Sequence, residues 1–326
     1  MSKLDEKPTI FVTRRWPDVA EDALRQYFNP TFNVDDIPLT SVQIAEGFAT
    51  HDVLAPTVSD QVTAEIIAAG ASGSGRLIAN FGVGVNHIDL TAAASAGLAV
   101  SNTPGVLTDA TADLTLTLML MISRRAGEGE RELRAGAWAG WRPTHMMGRS
   151  LSGKTLGIIG MGRIGKAVAH RAALGFGMKI IFFNRSTVTG IVDYDARQLS
   201  KIEDVCTESD FVSLHCAASE DTRHILNEER LQRFGNHAFV INTARGDVID
   251  EGALIKALHN GTIGGAVLDV FQGEPNIHRE ILTAPNTVLL PHLGSATVET
   301  RNAMGLKVVE NVRAFFAGNG LIDPVV

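Results

Sequence analysis

Three polar residues in the last third of the chain stand where chemistry can be done. Arg245 lies in INTARGD (241–247), Glu274 in LDVFQGEP (268–275) and His292 in LPHLGS (290–295). Each follows a short apolar run that reads as a strand, and ligands of open α/β sheets bind outside the carboxyl ends of the strands. An arginine offers a planar fork that grips a carboxylate or keto oxygen and polarises a carbonyl. A histidine delivers a proton near neutral pH. A glutamate bonded to it orients the ring and favours its protonated form. Singly, the three read as readily as an ion pair, a turn charge and a loop histidine. Together they hold the parts for anchoring an acid and protonating its carbonyl oxygen.

A second motif stands upstream. GMGRIG (160–165) follows the apolar run TLGII (155–159) and opens an amphipathic helix. In such a dinucleotide loop Gly160 permits the turn, Gly162 lets the backbone approach a pyrophosphate and Gly165 allows helix–strand packing. Arg163 and Ile164 begin the helix, whose free N–H groups face the phosphates. The next strand ends in Asn184, Arg185 and Ser186, with Asn184 19 residues past Gly165. An NAD site has a carboxylate there for the ribose 2′-OH. Neutral Asn184 removes repulsion of a 2′-phosphate, Arg185 can pair with it and Ser186 can add a hydrogen bond. NADP(H) is therefore expected over NAD(H), which stays open if Arg185 is only a solvated loop charge. Cys216, Thr243, Ala244, Arg245, Asp269, His292 and Gly294 are further candidate cofactor contacts. Asp269 has an equally good structural reading.

These motifs need a scaffold of parallel strands, and the chain alternates accordingly. Strands are expected at 9–13, 52–55, 76–80, 98–101, 155–159, 179–183, 211–214, 238–242, 263–270 and 287–290, with helical patterns between them. Such alternation implies βαβ units in two α/β blocks. Asp60, Asp89, Asn227 and Asp250 read as N-caps. A helix over about 108–127 is apolar on several sides, which suits a core helix or an interface. The last helix, 301–317, follows the second block and is expected to return to the first domain.

The bulk composition excludes several classes. The 326 residues suit two domains, 45% are hydrophobic and the net charge is −7. No basic surface for nucleic acid or an anionic membrane is expected. Two cysteines, Cys206 and Cys216, make no disulfide framework. The charged N-terminus lacks an apolar leader, and no stretch is long enough to span a bilayer. A cytoplasmic protein is expected. Histidine spacing suggests no metal.

The segments GMGRIG (160–165), NTARG (242–246), GEP (273–275) and PHLGSAT (291–297) resemble, in order and spacing, the D-isomer-specific 2-hydroxyacid dehydrogenases. NFGVGVNHID (80–89) is similar to that family's substrate loop and NTPGVLTD (102–109) to its first interdomain crossing. The likeness covers nearly the whole chain. Within the family, Asn184–Ser186 and GAWAGW (136–141) look most like glyoxylate/hydroxypyruvate reductases. The resemblance implies an α/β fold of two Rossmann-like parallel-sheet domains with a cleft between them. The flavodoxin-like substrate domain would take residues 1–102 and 293–326, the dinucleotide-binding domain 103–292 with its dimerisation helix. It implies NADP(H)-preferring reduction of a small 2-keto acid to the D-2-hydroxy acid by a homodimer, with Arg245, Glu274 and His292 catalytic. Val83, Gly84, Arg245, His292 and Ser295 would bind substrate, and Trp138 and Trp141 would lie in a segment near the partner subunit. Alternatives are an NAD-dependent phosphoglycerate-type or other D-2-hydroxyacid dehydrogenase, or a dinucleotide-sensing corepressor-like module. The end of the chain at Val326, without a regulatory domain, ranks the phosphoglycerate type lower.

Overall fold

The computed structural model describes residues 7–326. They form two compact units, 7–107 with 296–326, and 108–295.

In the first unit, β1 (Thr9–Val12), β2 (Asn29–Phe32), β3 (Val53–Ala55), β4 (Leu77–Ala79) and β5 (Ala99–Ser101) make a parallel sheet in the order β2-β1-β3-β4-β5. This is the flavodoxin-like order. The two faces of a parallel sheet must both be covered. Trp16, Leu24 and Phe81 pack on one side together with Met304, Val308 and Val312 of the C-terminal helix Val298–Phe316. Ile44, Phe48, Ile66 and Ile67 pack on the other.

In the second unit, β6 (Thr155–Ile159), β7 (Lys179–Phe183), β8 (Ala196–Leu199), β9 (Phe211–Leu214), β10 (Phe239–Asn242), β11 (Gly265–Leu268) and β12 (Thr287–Leu289) run parallel in the order β12-β11-β10-β9-β6-β7-β8. The chain leaves β6 toward β7 and later returns to its other side at β9. That reversal is the switch point where doubly wound sheets bind dinucleotides.

Several boundaries differ from the sequence reading. No helix starts at Asp60. Its carboxylate instead accepts hydrogen bonds from Thr13 and Thr57, and the helix begins at Ala64 behind Thr63. The C-terminal helix starts at Val298, three residues earlier than expected, because Thr297 accepts from the Thr300 N–H. The long helix expected over 108–127 is two helices, Thr108–Ser123 and Ala126–Arg134, broken at Arg125 with φ +52°. The first is buried in the second unit and the next has no buried residue. β2 and β8 carry no clear strand signal in the sequence: both are edge strands, and β2 contains Pro30.

The units change at 107/108 and 295/296, not at 102/103 and 292/293. Thr103 still donates to the Gly82 carbonyl, and Val106 and Leu107 pack on the first unit's core. At the other crossing, Leu293 and Gly294 are tied to Asp269 of the second unit.

Candidate active site

Parallel strands share one carboxyl edge, so the residues following β6, β9, β10, β11 and β12 assemble on the same side of the sheet. Five consecutive neighbours of the sheet thus carry the glycine loop, His215–Cys216, Thr243–Arg245, Asp269 and Leu290–Gly294.

The Arg245 turn follows β10. Asn242, buried at the strand end, holds it in two directions: its Oδ1 accepts from the Ala244 N–H at 3.0 Å and its Nδ2 donates to the Arg245 carbonyl at 2.8 Å. This side-chain turn is common for Asn, and its signal is the Asn of the N-T-A-R string. Arg245 is half-buried and donates to the Ala244 carbonyl at 2.7 Å. Burial lowers its pKa, and the nearby charge of Glu274 opposes that shift.

His292 and Glu274 meet directly. His292 Nδ1 lies 2.8 Å from Glu274 Oε2, and the other carboxylate oxygen accepts from the Phe271 N–H at 2.8 Å. Burial raises the Glu274 pKa, but the His292 bond and charge, the Phe271 N–H and Arg245 outweigh it, so the group sits below the usual carboxylate range. An ionised carboxylate only accepts. His292 Nδ1 therefore carries the hydrogen, which leaves Nε2 as the nitrogen that exchanges a proton.

His292 has φ +57°, unusual for a residue with a side chain and worth about 1–3 kcal/mol of strain. Asp269 supports it. The Asp269 carbonyl accepts from the His292 N–H at 2.9 Å, and its carboxylate accepts from the Leu293 and Gly294 N–H groups at 2.7 and 2.8 Å. Burial raises the Asp269 pKa. Of the two readings left open for Asp269, these bonds describe the structural one. Gly294 is further held through its carbonyl by Thr111, and Ser295 is half-buried just beyond it. Thr243 is buried and bonds Thr115 at 3.0 Å.

The glycine loop fits a dinucleotide. Gly160 has φ +99°, and a Cβ there would lie 2.6 Å from the Cys216 nitrogen. Gly162 begins the helix Arg163–Phe176, and a Cβ there would meet nothing within 4 Å. Backbone N–H groups at an open helix start suit a phosphate. Arg163 is exposed, Ile164 half-buried, and Gly165 packs against the Gly160 carbonyl. His215 is held neutral near pKa about 4 by burial, and its Nε2 lies 2.8 Å from Ser213 Oγ. Burial pushes the Cys216 thiol up to about 11, so it is no reactive thiolate.

Asn184 accepts from the Met161 N–H at 3.2 Å and donates to the Ser186 carbonyl at 3.0 Å. It thereby joins the glycine loop to the β7 end. Arg185 is 89% exposed and lies 3.4 Å from Asp221, itself 79% exposed. Such a pair is worth roughly 0–1 kcal/mol, so the guanidinium is easily recruited elsewhere. Nothing in the sequence pointed to Asp221, which stands 36 residues away.

Val83 and Gly84 belong to the first unit. There the carbonyls of Gly82, Val83 and Gly84 accept from Asn80, Asn102 and Thr103, and His87 bonds Asn80 at 3.0 Å. The loop is thus fixed through its oxygens. Among the described residues no group of acidic, cysteine or histidine side chains is arranged to hold a metal ion, and no helix is long and apolar enough to cross a membrane.

The family model described as D-isomer specific 2-hydroxyacid dehydrogenase, NAD binding domain, matches residues 116–294. A glyoxylate reductase of Thermococcus litoralis is 40% identical over 316 residues, 96% of this chain and 95% of that protein. Among solved structures, the NADPH-dependent glyoxylate/hydroxypyruvate reductase of Sinorhizobium meliloti, in complex with NADP and malonate, is similar with TM-score 0.87 and 33% identity, covering 98% and 97% of the two chains. A 2-hydroxyacid dehydrogenase of Ketogulonicigenium vulgare gives TM-score 0.85 at 34% identity, covering 98% and 99%.

Proposed function

The chain belongs to the D-isomer-specific 2-hydroxyacid dehydrogenases, NAD(P)-dependent oxidoreductases, and we propose that within this family it reduces a small 2-keto acid of the glyoxylate/hydroxypyruvate type, with a preference for NADP(H). The observation that carries this reading is the Glu274–His292 pair on the sheet edge that also holds Arg245. Glyoxylate reductase relatives at 40% identity support the substrate class.

The glycine loop, the start of the helix at Arg163 and the Asn184–Ser186 corner would hold the dinucleotide, with Cys216, Thr243, Ala244 and Gly294 beside it. The nicotinamide supplies the hydride. Arg245 binds the carboxylate or keto oxygen of the substrate and polarises the carbonyl. His292 Nε2 gives its proton to the carbonyl oxygen, while Glu274 holds Nδ1 and stabilises the charged ring beforehand. Ser295, half-buried just beyond Gly294, would add a polar contact to the substrate. A panel of 2-keto acids assayed with NADPH tests the reading; no turnover of glyoxylate or hydroxypyruvate would overturn it in favour of another acid or of a non-catalytic dinucleotide sensor.

Cofactor choice turns on Arg185. NADPH is expected to give the higher kcat/KM, and Arg185→Ala to raise the NADPH KM about tenfold while leaving NADH nearly unchanged, the size of one charge-assisted contact. Asp221→Asn releases the arginine and should move the preference further toward NADPH. Higher kcat/KM with NADH in the wild type contradicts the assignment.

A homodimer is part of the same proposal. The segment after Arg125 leaves Leu133, Trp138, Trp141 and Met147 exposed, Trp141 to 81%. Aromatic and methionine side chains are enriched at interface cores. Light scattering should give twice the chain mass, and a monomer at micromolar concentration would end this part of the proposal.

A further inference from the structure

One buried carboxyl of the second unit has no part in the mechanism above. Glu251 is the first residue of the helix Glu251–His259, which Asp250 caps through the Ala253 N–H. First-turn glutamates favour exposed positions near the helix dipole. This one is 3% exposed. Its Oε1 accepts from the Gln272 N–H at 2.6 Å, and the Gln272 side-chain oxygen accepts in return from the Glu251 N–H at 3.3 Å. Its Oε2 is buried with no hydrogen-bond partner. Burying a carboxyl with one oxygen unsatisfied is costly, and an ordinary helix start does not require it.

The other end of this contact is the loop that carries Glu274. Gln272 adjoins Phe271, whose N–H holds Glu274 Oε1. The Gln272 amide nitrogen also reaches His224 Nε2 at 2.9 Å and Asp247 Oδ1 at 3.3 Å. The Phe271–Gln272 peptide also lies against Gly246, where a Cβ would fall 2.0 Å from the Phe271 carbonyl carbon. Gly246 is the residue after Arg245. The loop bearing the proton-transfer carboxylate is therefore held both by the Arg245 turn and by the buried Glu251.

We infer that Glu251 is a positioning residue: through its paired hydrogen bonds with Gln272 it sets where Glu274 stands relative to His292 and Arg245. The inference rests on the proposed roles of those three residues. The charged and titratable groups around the assembly are Arg245, His292 and Asp269 near Glu274, Asp247 and His278 near Glu251, and His224 on the Gln272 side chain. Misplacement of a reacting group by about 1 Å costs up to a hundredfold in rate, so release of a loop one bond away should cost about tenfold.

The test uses Glu251→Leu, which fills the buried volume without an acceptor, and Glu251→Gln, which keeps one. The Tm of each variant identifies simple loss of fold. Glu251→Leu is expected to lower kcat for 2-keto-acid reduction about tenfold, with the keto-acid KM changed less than threefold. Glu251→Gln should recover kcat to within about threefold of wild type. In the Glu251→Leu/Glu274→Gln double variant the kcat loss should not exceed that of Glu274→Gln, because both act on one group. A lowered kcat in Glu274→Gln beside a wild-type kcat in Glu251→Leu overturns the inference alone, as do independent, multiplying losses. A wild-type kcat in Glu274→Gln overturns the proton-transfer pair and the inference with it. If Glu251→Leu does not fold, Glu251→Gln decides: a tenfold loss of kcat at wild-type Tm also overturns the acceptor role.

Discussion

Replacement of His292 by alanine is expected to lower kcat for 2-keto-acid reduction by on the order of a hundredfold or more, the usual contribution of a positioned general acid. The 2.8 Å contact with Glu274 fixes which nitrogen does the work. Because Glu274 is ionised and accepts from Nδ1, the proton leaves from Nε2. Glu274→Gln keeps the size of the side chain but removes the charge that accepts from Nδ1, and should lower kcat about tenfold. Glu274 keeps its charge below the usual carboxylate range, so the pair survives moderate acidification and activity should hold until that carboxylate is protonated. Steady-state rates across the acid range read this; His292→Ala with near-wild-type turnover would remove the residue from the reaction.

Arg245→Ala should reduce kcat/KM by on the order of a thousandfold, with both constants affected. Removing one preorganised donor to a developing oxyanion costs about 10²–10³ in kcat, and loss of the carboxylate anchor adds to KM. Arg245→Lys keeps a charge but not the fork geometry, and should recover only part of the loss. A non-reducible dicarboxylate such as oxalate provides an equilibrium check. Its inhibition should weaken strongly in Arg245→Ala, since no step beyond binding is involved. Unchanged oxalate inhibition would place the arginine outside the substrate site. The burial that lowers the Arg245 pKa is the same exclusion of water that strengthens its pull on a bound anion.

Features that depend on neighbours along the chain are already legible in the string of residues. An apolar run, a glycine that must take φ +99° and a helix start gave the dinucleotide loop from GMGRIG alone. Apolar runs that stop shortly before Arg245, Asp269 and Leu290 marked strand ends, and βαβ alternation put those ends on one edge. The fold class followed from the same local periodicity. Helix starts were less legible: Asp60 has the chemistry of a cap, yet Thr13, 47 residues away, takes its carboxylate. Tertiary structure alone decided which groups share a proton or a charge. Glu274 on His292, Asp269 under Gly294, Asp221 on Arg185 and Gln272 on Glu251 are hydrogen bonds or ion pairs of loops that turns and strand order bring together. The physical reason is one of range. Backbone preference and hydrophobic period act over a few residues and are written in the string. A buried or paired side chain answers to groups delivered by crossovers tens of residues long, and those exist only once the sheet is assembled.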